Sequence, residues 1–100
     1  MNLGRAIKMC RSSRGLSQAE LADRAQCSIS YLSLLENSQR DPTLSVIEKI
    51  SQGLNVPVGI LFFLAADNSE LSGIDPDLKG NIARTALEFL SEHKPQPTLL

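Results

Sequence analysis

The residues of this chain best equipped for chemistry are hydroxyls and amides, and they crowd into one stretch, Leu16 to Glu36, LSQAELADRAQCSISYLSLLE. Ser17, Gln18, Ser28, Ser30 and Ser33 can all donate and accept hydrogen bonds. Nothing around them resembles a catalytic arrangement. The lone histidine, His93, has no nucleophile near it in sequence, and no glycine-rich phosphate cradle occurs. Cys10 and Cys27 match neither a redox motif nor a metal-ligand spacing, so they read as small buried thiols. No enzyme activity, metal or cofactor is expected. The chemistry on offer is recognition by hydrogen bonding.

Two short helices must carry these groups. Ser17 followed by Glu20 is a capping box, in which each side chain satisfies an amide that the helix leaves unpaired. Leu16 and Leu21 flank it as a hydrophobic staple. Ala19, Ala22 and Ala25 keep the first helix slim enough for another to cross closely. A turn over 25–27 follows, without the usual glycine. Ser28 then caps a second helix whose Leu32 and Leu35 point inward. Such a pair suits a helix-turn-helix that lays its second helix in the major groove of DNA. A small amphipathic helix with serines in solvent has the same pattern, so this stretch alone leaves both readings open.

The rest of the chain supports an all-α fold. It has 100 residues, 42% of them apolar but only 4% aromatic, which suits one aliphatic core. Helix one spans 2–13, with Leu3, Ile7 and Cys10 inward, and Gly15 is placed to end it. The polar run Asn37 to Pro42 is a loop. Thr43 caps a fourth helix to about Gly53 whose buried stripe is Leu44, Ile47, Ile50 and Leu54. Pro57 opens a fifth, to about Ala66, at the first helical position. That helix is apolar all round, so a second covering surface is needed, either the carboxy-terminal segment or another copy of the chain. Residues 67–74 form a linker, and Asp75-Pro76 starts a last helix to about His93. Its stripe contains Leu78, Ile82, Ala83, Ala86, Leu87, Phe89 and Leu90. Residues 94–100 are expected to be disordered.

The formal charge is −1, which excludes an overall electrostatic argument for nucleic acid. Its distribution does not. Residues 1–53 carry a net +2 and 54–100 a net −3, and Arg5, Lys8, Arg11 and Arg14 come before any acid. No apolar run reaches membrane-spanning length, so no membrane is expected as a partner and a cytoplasmic location is.

Taken in order, Leu16-Ser17-Gln18-Ala19-Glu20-Leu21-Ala22, Ser28-x-Ser30-Tyr31-Leu32-Ser33-x-Leu35-Glu36 and Arg40-Asp41-Pro42-Thr43-Leu44 leading to Ile47-x-x-Ile50 resemble the lambda Cro/repressor-type family. These are the xenobiotic-response-element-like helix-turn-helix regulators. The resemblance covers Leu3 to Ala66. It implies a five-helix DNA-binding domain over 1–66, with the helix over 75–93 completing the core or a dimer contact. Ser17 and Gln18 would then approach the DNA backbone. Ser28, Ile29, Ser30 and Leu34 would lie nearest the base edges, with Tyr31 and Ser33 at the margin. Asn37 and Arg40 would clasp phosphate with help from loop amides. Arg11 and Glu36 would form a partly buried clamp between helices. Ile29 and Leu34 could meet thymine methyls, whereas the long readers arginine, glutamine and asparagine are missing from the reading slots.

The implied function is sequence-specific binding of double-stranded DNA by a homodimer on a pseudo-palindromic operator, with repression as the outcome. An antitoxin or restriction-modification controller of the same fold is the alternative within the class. Outside it stands a protein-interaction module that has lost DNA binding and keeps a protein partner.

Overall fold

The structure, a computed structural model, describes residues 1–91. It contains six helices and, among the described residues, no strand. The expected tail at 94–100 and His93 lie outside the described residues.

Five of the six helices, all but α5, start where a side chain takes over a free amide. Asn2 Oδ1 accepts from the Arg5 N–H to begin α1, Leu3–Ser13. Gly15, at φ +70°, lets the chain turn away behind it. The capping box of α2, Gln18–Ala25, is complete: Glu20 N–H donates to Ser17 Oγ at 3.0 Å, and Ser17 N–H to Glu20 Oε1 at 2.9 Å. The Ser17 amide and hydroxyl hold the Glu20 carboxyl below its ordinary pKa. Gln26 then takes the left-handed conformation that glycine would normally supply, at φ +59°. Ser28 Oγ accepts from Tyr31 N–H to open α3, Ile29–Glu36, and Thr43 does the same for α4, Leu44–Leu54.

Two boundaries differ from expectation. Pro57 stands just outside α5, Val58–Ala65, as an extended cap residue at ψ 140°, not as its first helical residue. The linker is a folded turn. Asp67 N–H donates to Glu70 Oε1, and Glu70 N–H returns a bond to Asp67 Oδ1. Asp75 Oδ2 then accepts from the Asp77 and Leu78 amides to open α6, Pro76–Ser91.

The core lies between α1, α2, α3, α4 and α5, filled by Ile7, Cys10, Leu21, Leu32, Leu35, Ile50, Leu54 and Leu61. Gly4 is what lets α1 approach α3, because a side chain there would run into the Leu35 carbonyl oxygen. Leu44 does not join the buried stripe. It is 63% exposed at the first position of α4, one turn before the core face begins.

The last helix lies on α1 and α5, so the carboxy-terminal segment covers part of the apolar α5. Contact centres on the buried Ala86, with Leu90 packed on the core. Leu78 and Leu87 stay 52% and 66% exposed. They sit about 180° apart around the helix, on either side of Ala86, so one partner surface cannot cover both.

Candidate nucleic-acid interface

The helix-turn-helix stretch presents one open face. At about 100° per residue, Ile29, Ser33, Asn37, Ser30 and Leu34 fall within an arc of roughly 140° on α3. Ile29, Ser30 and Asn37 are exposed, and Ser33 and Leu34 are half-buried. The rest of the circumference holds Leu32, Leu35 and Glu36, all buried, with Tyr31 packed against the core. Beside this face stands the start of α2, with Ser17 exposed and Gln18 half-buried. The amides of Gln18, Ala19, Ile29 and Ser30 have no acceptor among the described residues, as first-turn amides generally do not. Two helix amino ends therefore offer donors and partial positive charge together.

A buried ion pair fixes how these helices meet. Arg11 Nε donates to Glu36 Oε2 at 2.7 Å, and Arg11 Nη2 to Glu36 Oε1 at 3.0 Å. The Glu36 side chain is 0% exposed and that of Arg11 only 14%. Arg11 Nη1 also donates to the Leu16 carbonyl at 2.9 Å, tying α1 to the entry of α2. A further link joins the start of α2 to the same carboxylate, at the glutamine that the family resemblance expects to buttress the recognition helix. Gln18 Nε2 donates to Glu36 Oε1 at 3.0 Å. One carboxylate thus gathers donors from α1 and α2 onto the last residue of α3. Since Glu36 only accepts, the contact turns the NH2 group of Gln18 toward it and leaves the second N–H for another acceptor.

The loop after α3 departs from the expected clasp. The amides of Asn37, Ser38 and Gln39 are spent on the carbonyls of Ser33, Leu35 and Leu34, which close the end of α3. Ser38 adopts φ +59° to make this possible. The amides of Arg40 and Asp41, which have no acceptor among the described residues, and the side chains of that segment are left to meet a phosphate. Asn37 Nδ2 lies 3.5 Å from Ser33 Oγ. Arg40 is exposed and makes no ion pair with Asp41 or Glu36 among the described residues.

The early positive charge is likewise only partly available. Arg11 is used by Glu36, and Arg14 Nη2 donates to the Asn55 carbonyl at 2.8 Å, which leaves Arg5 and Lys8 in solvent. Neither thiol stands ready as a metal ligand. Burial pushes the Cys10 pKa up to about 11 and raises that of Cys27, with only a small opposing pull from Lys49 on the latter. Among the described residues no group of three His, Cys, Asp or Glu side chains could hold a metal ion, and no single helix is long and apolar enough to cross a membrane.

The family model described as helix-turn-helix matches residues 7–61, more than half of the chain, from the middle of α1 into α5. The chain belongs to the helix-turn-helix family of the lambda Cro/repressor type. It is 37% identical over 87 residues to the HTH-type transcriptional regulator SinR of Bacillus licheniformis, a match covering 85% of this chain and 77% of that one. That alignment is long enough that it must reach into α6. The immunity repressor protein of Bacillus phage phi105 is 36% identical over 61 residues, 61% of this chain but 42% of the repressor. The chain therefore spans under half of that relative's length. The crystal structure of the clp gene regulator ClgR from C. glutamicum superposes with a TM-score of 0.63 at 26% identity, covering 64% of this chain and 83% of ClgR.

Proposed function

We propose that this helix-turn-helix chain binds double-stranded DNA sequence-specifically, as a homodimer on a pseudo-palindromic operator, and represses transcription by occupying a promoter. One observation carries the reading: the outer face of α3 is open from Ile29 to Asn37, while Glu36 at its end fixes Gln18 at the start of α2. With α3 in the major groove, Ser17 and Gln18 meet one phosphate strand and Arg40 the other. The side chains of Ser28, Ile29, Ser30 and Leu34 face base edges, with Ser33 and Asn37 beside them.

Dimerisation follows from the small size of one module, which makes too few contacts for useful affinity alone. Two copies would place their third helices roughly 34 Å apart, one turn of DNA. Val58, apolar and exposed in the single chain, and one of the two exposed leucines on opposite sides of α6, Leu78 or Leu87, are surface that a second copy would cover. A protein-interaction role is the second reading, favoured by the exposed apolar side chains of Ile29 and Leu44.

Selection from a pool of random duplexes, followed by mass measurement of the complex, tests the proposal. The expected result is an enriched inverted repeat holding two chains. Recovery of no preferred sequence, or of one chain per site, would count against it.

A further inference from the structure

We infer that Ile29 sets the base preference of this interface and that its target is the 5-methyl group of a thymine. This rests on the DNA-binding reading above and specifies the sequence class that the same face takes. Ile29 is the first residue of α3, 51% exposed, and stands outside the core cluster. Serines surround it: Ser28 and Ser30 adjoin it in sequence, and Ser33 lies one turn further along the same face. The outward arc of α3 holds no arginine, lysine, glutamine or carboxylate. Its only long polar side chain, Asn37, is at the far end, about 12 Å along the axis.

The major groove offers an aliphatic side chain one apolar partner. Guanine presents N7 and O6, adenine N7 and an amino group, cytosine an amino group, and thymine a methyl beside O4. Against the first three, Ile29 would strip water from a donor or acceptor and return no hydrogen bond, which is unfavourable. Against thymine it buries methyl on methyl. Discrimination therefore comes from rejecting three bases as much as from favouring one. The hydroxyls of Ser30 and Ser33 can donate to or accept from several base atoms, so they tolerate what Ile29 selects.

The experiment replaces each thymidine of a selected duplex, in turn, by deoxyuridine, which removes the 5-methyl and nothing else. Binding is followed by fluorescence anisotropy. At one position per half-site the wild-type chain should bind roughly three- to fivefold more weakly, the effect expected for one buried methyl. Ile29→Ala should lose that difference at the same position, whereas Ile29→Val should keep it. Because Ile29 is half in solvent, both variants should melt with the wild type. A scan that is flat in the wild type, or unchanged in Ile29→Ala, overturns the inference and leaves DNA binding standing. A chain that retains no duplex at low salt overturns both. A protein ligand that Ile29→Ala releases while DNA affinity is unaffected overturns the inference alone.

Discussion

Replacing Arg11 by alanine strips the buried Glu36 carboxylate of two of its three donors. Oε2 is left with none, and Oε1 keeps only the Gln18 amide. With the Glu36 side chain 0% exposed, water cannot take over without opening the α1–α3 contact. Breaking a buried pair in this way costs about 3–5 kcal/mol, against less than about 1 kcal/mol for an exposed one. For a domain of this size 3 kcal/mol lowers the melting temperature by roughly 12 °C or more. It is also a large share of a total of about 5–15 kcal/mol. Glu36→Gln should cost less, because an amide oxygen still accepts from Arg11 and the 14% exposed guanidinium can reach water. Arg11→Met with Glu36→Leu removes both charges together and should recover most of the loss. Urea denaturation followed by circular dichroism on the wild type, Arg11→Met, Glu36→Leu and the double variant gives the coupling directly. A cost below about 1 kcal/mol for Arg11→Ala, or a double variant that merely adds the two single effects, would refute the claim that the pair is a buried unit.

Other consequences follow from the packing and from the thiols. Gly4→Ala drives a methyl against the Leu35 carbonyl oxygen, with Ser38 Oγ at 3.0 Å and Glu36 O at 3.1 Å, so it should cost about 2–3 kcal/mol. Gly80→Ala meets nothing within 4 Å and should instead stabilise α6 by up to about 1 kcal/mol, both read by thermal melting. Cys10, with its pKa pushed from 9.0 to about 11, stays protonated in the folded chain after it has ionised in the unfolded one. The folded state then holds the extra proton, so stability should fall as pH rises through that window, by roughly 1–3 kcal/mol in all. Comparison with Cys10→Ala across the same pH range isolates the effect. An identical slope in both proteins would refute it.

How legible the site was depended on how local each interaction is. The Ser17–Glu20 box and the Ser28 and Thr43 caps are set by side chains reaching three residues along the chain, and the sequence displays them directly. The same signal stood in Asp67-x-x-Glu70 and was passed over because the segment looked like linker. The Arg11–Glu36 pair spans 25 residues, and only family resemblance pointed to it. The Gln18–Glu36 bond spans 18 and has no local signature. The turn over 25–27 was legible from the caps on either side of it, although Gln26 takes its left-handed conformation without glycine. Leu44 and Leu87 were misread because apolar periodicity shows which face a helix would bury, but not how far a neighbour extends to cover it. Three of the loop amides are occupied for a similar reason: a helix end has its own carbonyls to satisfy, and those of Ser33, Leu34 and Leu35 take the donors of Asn37, Gln39 and Ser38.

Salt dependence is the most direct test of the central claim, that the open face of α3 and the amino end of α2 grip the DNA backbone. A dimer making about 6–10 phosphate contacts should show log affinity falling against log salt with a slope between about −5 and −9. Arg40→Ala should flatten that slope by about 1 per subunit while leaving sequence preference unchanged. A slope near zero, with affinity carried instead by Ile29 and Leu34 toward a protein, would contradict the account.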